Sequence, residues 1–215
     1  RFFPQNVNLG LASGVNVAIA EARGEYLLIL NPDIIVLRDA IDRLLDFARA
    51  HPRAAVFAGQ LINPNGSVQD SNFRFYTPFT ILARRTPLGF LPFGRAHLEQ
   101  VLFREYDRVA PRQVDWVLGA CMLVRRSAVE NVGPMDPRFF LYFEDMDWCR
   151  RFWNAGYEVW YVPHARFAHY YKRESAQEAG ISALFQPITR IHIASGFKYF
   201  WKYRGEGMVP AKRAP

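Results

Sequence analysis

The stretch Gly10–Asp33, GLASGVNVAIAEARGEYLLILNPD, carries both periods that an α/β fold requires. Val15, Ala18, Ile19 and Ala22 recur at helical spacing, and Gly24 marks the stop. EYLLIL (25–30) follows as a short continuous apolar run, the pattern of a parallel strand covered on both faces. Asn31, Pro32 and Asp33 close it, because Pro32 has no N–H to give a central ladder. Asp33 is thereby expected at the carboxyl end of a strand, the end at which open α/β sheets bind ligands.

The pattern repeats outward. RDAIDRLLDFARAHP (38–52) sets Ile41, Leu44, Leu45 and Ala48 on one helical face, and AAVFAGQLI (54–62) reads as a strand. NPNGS (63–67) is a turn signal between two antiparallel strands. Helix, strand, helix, strand predicts an α/β domain with a mostly parallel central sheet. Between 72 and 112 no period is evident, and RFYTPFTILARRTPLGFLPFGR (74–95) predicts an irregular, mobile segment over the sheet. VDWVLGACMLVRR (114–126) restores a strand, with Gly119 and Ala120 small enough for close approach of a backbone or ligand. YEVWYVP (157–163) predicts a last strand that ends at Pro163.

FFLYFEDMDWCRR (139–151) sets three carboxylates among aromatics. An unpartnered buried carboxylate is costly, so each must be paired, solvated or used. In a helix starting near Glu144, Met146, Trp148, Cys149, Phe152 and Trp153 gather on one side, and Asp147, Arg150, Arg151 and Asn154 on the other. Asp147 and Arg151, four apart, suit a surface ion pair. Asp145 falls within the apolar side and reads either as an N-cap or as a functional carboxylate.

The 215 residues suffice for one domain with a substantial core, and 22% charged residues are ordinary for a globular protein. No apolar run has the length of a membrane span. Cys121 and Cys149 lack metal-type spacing and read as reduced core residues of a cytoplasmic protein. The net charge of +7 suits a nucleic acid, an anionic membrane or phosphate-bearing substrates. No nucleic-acid motif accompanies it, so nucleic acid is not expected as a partner.

Taken in order, NVNLGLASGVNVAI (6–19), GEYLLILNPDIIVL (24–37), VDWVLGACMLVRR and VGPMDPRFFLYFEDMDWCRRFWNAGYEVWYVPHARFAH (132–169) resemble the family 2 glycosyltransferases, in particular their rhamnosyltransferase-like branch. The resemblance implies an A-type nucleotide-sugar-binding fold and inverting transfer, with Mg2+ or Mn2+ on the donor diphosphate. The donor is then a nucleotide-diphosphate sugar, with rhamnose favoured, and the acceptor a saccharide or lipid-linked saccharide of the cell envelope. Residue by residue, it implies that Asp145 is the general base with Glu144 in reserve, and that Asp33 and His169 hold the metal, with His164 the alternative histidine. Asn8, Gly10, Gly14, Asn16, Asn31 and Asp33 would line the donor site, Asn31 standing where many relatives have a first aspartate. Trp116, Gly119, Ala120 and Tyr142 would line the acceptor site. After His169 the family continues with a glycine and a serine, whereas HYYKRES (169–175) supplies Ser175 without the glycine, and Lys172 and Arg173 could meet the diphosphate.

The family begins with a strand and an acidic, serine-rich loop for the nucleotide base, and nothing before Arg1 matches them. The expected fold is therefore truncated at its amino end by roughly one βαβ unit, on the order of 30 residues. Residues 1–180 read as the transferase domain, and 181–215 as a basic, aromatic carboxyl-terminal helix and tail. Arg190, Lys198, Lys202 and Arg204 among aromatics such as Phe197 and Trp201 suit either an anionic membrane on the cytoplasmic face or a helix packed on the domain with its basic face in water. A degenerate, non-catalytic sugar-binding or scaffolding module is the alternative to an enzyme.

Overall fold

The computed structural model describes residues 1–104, 106–170 and 186–206. The chain opens with helix α1 (Leu11–Glu21), strands β1 (Tyr26–Leu30) and β2 (Ile34–Val36), helix α2 (Ala40–Ala50) and strand β3 (Ala54–Ile62). After β4 (Asn72–Phe73) come α3 (Pro78–Arg85), a 3-10 turn at Pro87–Phe90, and α4 (Pro92–Val101). Strands β5 (Arg112–Gln113), β6 (Trp116–Val117) and β7 (Cys121–Arg125) lead into α5 (Arg126–Val132) and α6 (Glu144–Asn154). Strand β8 (Glu158–His169) and helix α7 (Pro187–Lys202) complete the described elements.

The architecture is the expected α/β one, but the sheet is mixed. Its order is β1-β7-β3-β8-β2, with β5 also on β8. Only β3 and β8 pair in parallel; β7 runs against both β1 and β3, and β2 and β5 run against β8. Strand β1, expected to be parallel and covered on both faces, is instead an edge strand antiparallel to β7 with only Leu27 buried, because a continuous apolar run fixes neither the number nor the direction of a strand's neighbours. Strand alternation divides the core. Phe57 and Leu61 of β3 face α2 with Leu44 and Ala48, while Val56 and Ala58 face α6 with Trp148, Cys149 and Phe152. Both cysteines are free and buried in these layers.

Three local expectations change. Residues 78–101 are not irregular: Pro78 and Pro92 occupy first-turn positions of helices, and Thr77 caps α3 in a reciprocal box with Thr80. Strand β8 runs through Pro163 to His169. Its register slips opposite Gly59 and Gln60, where Val162 and Arg166 are the successive partners, so Pro163 sits in a bulge that asks no ladder bond of it. The NPNGS turn forms, but beyond it there is only an isolated bridge, Ile62 to Val68, before the chain leaves the sheet.

The polar side of α6 is covered by α7. Asp147 does pair with Arg151 at 3.0 Å, yet its side chain is fully buried, so the pair is not a surface one. Lys202 Nζ donates to Asp147 and Asp136, and Tyr203 Oη donates to Asp147. Lys198 Nζ donates to the Arg138 carbonyl, and Gly196 lets α7 lie against the Phe143 ring. Two of the four cations expected to face a membrane therefore clamp α7 to the domain. No helix among the described residues is long and apolar enough to cross a membrane.

Candidate active site

Tyr142 and Phe143, both at φ 68°, adopt the left-handed conformation in succession just before α6. Each costs a non-glycine residue of order 1 kcal/mol, and the surrounding packing must hold them there. The Phe143 ring lies among His192, Tyr199 and Phe200 of α7, and the Tyr142 ring meets His192 edge-on. The turn aims the first residues of α6 inward. Phe143 is the N-cap position and no side chain caps the helix, so Asp145 is not a cap. Its Oδ2 accepts the Gly119 N–H at 3.0 Å and its Oδ1 the Met146 N–H at 2.8 Å.

Burial pushes the Asp145 carboxyl up to about 6, with the two backbone N–H groups pulling the other way. Glu144 is raised well above the usual carboxylate range, by burial first and by the neighbouring Asp145 charge second. Its Oε2 has no hydrogen-bond partner among the described residues. Two adjacent buried carboxyls do not both ionise readily, and the one with N–H donors ionises first. Of the pair, Asp145 is the one whose negative charge the backbone N–H donors support.

Gly119 and Ala120 join this half of the site to the other. While Gly119 N–H reaches Asp145, the Ala120 carbonyl accepts the Asn31 N–H at 2.9 Å, anchoring the turn that carries Asp33. A Cβ on Gly119 would stand 3.4 Å from the Asp145 Cβ, an ordinary contact, so this backbone lies directly against the carboxylate. Register between β2 and β8 sets Ile34 opposite His169. Asp33 Oδ2 then lies 3.5 Å from His169 Nε2, and the opposite ring nitrogen, Nδ1, is 2.7 Å from Gln69 Oε1. Burial lowers the His169 pKa despite the Asp33 charge, favouring the neutral, ligating imidazole.

A carboxylate and an imidazole at this distance, with no hydrogen-bond partner for Asp33 Oδ1 among the described residues, fit two protein ligands of Mn2+ or Mg2+. Among the described residues no group of three or more His, Cys, Asp or Glu could hold an ion, so diphosphate oxygens and water would have to complete the shell. His164 is exposed and five residues back along β8, with its carbonyl bound by Arg43; it does not join Asp33.

The remaining expected residues divide. Gly10, at φ 80°, packs on the Phe140 carbonyl, which accepts the Leu11 N–H, and so ties α1 to the aromatic turn. Asn8 accepts the Gly10 N–H. Asn16 spends both ends of its amide on the Met135 backbone, which makes it a bracket between α1 and the approach to α6 rather than a donor contact. Gly14 lines a groove of about 480 Å³ between α1 and β1 that contains neither Asp33 nor Asp145. Trp116 is buried, stacked on Phe73, with its indole N–H on the Arg74 carbonyl. Lys172, Arg173 and Ser175 lie outside the described residues. Gln69 and the bond from Gly119 to Asp145 had no signature in the sequence, since each depends on segments far apart in the chain.

The sequence profile of glycosyl transferase family 2 matches residues 1–133. The chain is 33% identical to the N-acetylglucosaminyl-diphospho-decaprenol L-rhamnosyltransferase of Mycobacterium tuberculosis, over 94% of this chain and 69% of that one. It is 27% identical to the rhamnosyltransferase WbbL of Escherichia coli, over 94% of this chain and 71% of that protein. Among solved structures it is similar to GalNAc-T7 determined with UDP, GalNAc and Mn2+, at a TM-score of 0.56 and 16% identity, covering 80% of this chain and 32% of that one. That likeness concerns the fold, which is the A-type glycosyltransferase fold. With the family profile spanning more than half of its length and a relative one-third identical along almost all of it, the chain belongs to glycosyl transferase family 2, in the branch of the rhamnosyltransferases.

Proposed function

We propose that the protein is an inverting rhamnosyltransferase of cell-envelope polysaccharide assembly, carrying rhamnose from a nucleotide-diphosphate donor to a lipid-linked saccharide. The observation that carries this reading is the Asp145 carboxylate, held by two backbone N–H groups and connected through Gly119 and Ala120 to the Asp33 turn. The names of the two rhamnosyltransferase relatives supply the sugar, and the mycobacterial one the lipid-diphosphate acceptor.

In the proposed reaction Asp145 takes the proton of the acceptor hydroxyl. That oxygen forms the bond to the anomeric carbon while the bond from that carbon to the diphosphate oxygen breaks. The electron pair leaves with the nucleoside diphosphate, and the anomeric configuration inverts. Each Asp145 oxygen accepts one backbone N–H and keeps a lone pair for the incoming proton. A positioned base of this kind contributes about 10²- to 10⁴-fold in rate. Asp33 and His169 would hold the divalent ion, which when bound neutralises charge on the departing diphosphate. Burial and the neighbouring carboxylate both disfavour a charge on Glu144, so Asp145 is the favoured site of negative charge there.

The acceptor's lipid suggests where the enzyme works. Ile193, Phe197 and Trp201 form an exposed apolar stripe on the outer side of α7, with Arg190 and Arg204 at its ends. The helix has no acidic residue, so the stripe suits an anionic membrane surface. This surface differs from the one read in the sequence, because Lys198 and Lys202 are engaged by the domain.

The test is transfer itself. The chain is incubated with deoxythymidine-diphosphate rhamnose, Mn2+ and a polyprenyl-diphosphate N-acetylglucosamine, and the lipid product is read by mass spectrometry and NMR. A product longer by one rhamnose, with inverted anomeric configuration, is expected. Retention of configuration, or transfer to water at the same rate with and without acceptor, would overturn the reading.

A further inference from the structure

Gln69 is buried, outside every motif that suggested function, and touches one of the two proposed metal ligands. Its backbone is pinned just past the 63–67 turn, where its N–H donates to the Leu61 carbonyl at 2.8 Å. The turn itself fixes which way the Gln69 amide points. Ser67 Oγ donates to Asn65 Oδ1 at 2.6 Å and accepts from Asn63 Nδ2 at 2.9 Å. Asn63 therefore presents its oxygen to Gln69, and Gln69 Nε2 donates to it at 3.2 Å. With its nitrogen committed, Gln69 can present only Oε1 to His169. Turning the amide over would set two oxygens together at Asn63, whose own orientation Ser67 fixes.

An oxygen 2.7 Å from His169 Nδ1 is an acceptor, so that nitrogen must carry a proton. A neutral imidazole protonated at Nδ1 has its lone pair on Nε2, which is the atom 3.5 Å from Asp33 Oδ2. Two lone pairs aimed at one region suit a cation between them. We infer that Gln69 is a positioning residue whose amide, oriented by the Asn63–Ser67 turn, holds His169 in the tautomer that offers Nε2 beside Asp33 to a divalent cation. The turn read in the sequence as a mere connection thus orients a side chain at the site through a chain of four hydrogen-bonded groups. This role rests on the reading of Asp33 and His169 as metal ligands and adds to it the group that selects the ligating nitrogen. Partners of this kind typically account for about 10- to 100-fold in metal affinity.

The test combines two readouts on the whole chain. Nitrogen-15 NMR of labelled histidine reports the His169 tautomer, assigned by its disappearance in His169→Ala, and calorimetry reports binding of deoxythymidine diphosphate with and without Mn2+. Wild type is expected to show the Nδ1–H tautomer. Gln69→Leu, which keeps bulk and removes the acceptor, should move the ring towards the Nε2–H tautomer and weaken Mn2+-dependent binding by about 10- to 100-fold. Gln69→Glu, which keeps an acceptor oxygen towards His169 but loses the N–H given to Asn63, should keep the Nδ1–H tautomer, and Asn63→Ala should give an intermediate loss of binding. An Nε2–H tautomer in wild type, or an unchanged tautomer in a folded Gln69→Leu variant, would overturn the inference. If the tautomer shifts but His169→Ala leaves Mn2+-dependent binding intact, the metal reading of Asp33 and His169 fails and Gln69's link to the ion fails with it.

Discussion

Replacing Asp145 by Asn should stabilise the fold at neutral pH and destabilise it in acid, a change of sign that a merely structural aspartate would not give. The folded carboxyl stands at about 6 against an ordinary 3.8, because burial penalises the charge. Since the folded value is the higher, the native state binds the proton more tightly than the unfolded chain. The stability from that proton is fully present below about pH 4 and is lost as pH rises to about 6. A difference of about two pKa units makes that loss about 3 kcal/mol at pH 8. Asn carries no charge to bury and escapes it. Against this, one amide oxygen can accept only one of the N–H groups of Gly119 and Met146, and the deserted donor costs about 1 kcal/mol. The variant should therefore be more stable than wild type by about 2 kcal/mol at pH 8 and less stable by about 1 kcal/mol at pH 4. Urea unfolding followed by the fluorescence of the five tryptophans, at pH 8, 6 and 4, measures both. Equal destabilisation at every pH would mean that Asp145 is fully satisfied as an ion, and the argument for a raised base would collapse.

Three further outcomes are expected. Asp33→Ala and His169→Ala should each weaken Mn2+-dependent nucleotide binding at least about tenfold in calorimetry while leaving metal-free binding alone; equal loss without metal would place them elsewhere in recognition. Lys202→Met removes a partner from buried Asp147 and from Asp136 and should cost about 2–4 kcal/mol in urea unfolding, whereas a cost within experimental error would mean that α7 is not clamped through this residue. Phe197→Ser with Trp201→Ser, and separately Arg190→Glu with Arg204→Glu, should abolish sedimentation with anionic liposomes, which high salt should also reverse; no binding by wild type, or binding indifferent to both pairs, would sink the membrane surface.

What could be read in the sequence was what depends on neighbours along the chain. The 3.6-residue period of α1 and α2, the start of α6 at Glu144 and the inward direction of Asp145 are all local properties, and each is found in the structure. Asp33 and His169 were legible through motif order, which carries long-range pairing implicitly. The failures share a cause. Asp147 and Lys202 looked solvated because the partner that buries them lies 55 residues away, and nothing in either segment announces the other. The strand through Pro163 depended on a bulge that only pairing with β3 reveals. Helices α3 and α4 were hidden for another reason. They are short, and Leu82 and Phe93 leave large apolar groups in solvent, so no clean stripe forms. Their signal was the repeated first-turn proline after Thr77 and Leu91.

The most direct measurement is the rate of rhamnosyl transfer to the lipid-linked acceptor by wild type, Asp145→Asn and Glu144→Gln, each with its donor affinity measured in parallel. Asp145→Asn should lower kcat by about 10²-fold or more with donor affinity nearly unchanged, because it removes only the proton acceptor. Glu144→Gln should retain most of the rate, since burial and the Asp145 charge both disfavour a Glu144 carboxylate. Wild-type turnover by Asp145→Asn, with Glu144→Gln inactive, would contradict the assignment and move the base to Glu144.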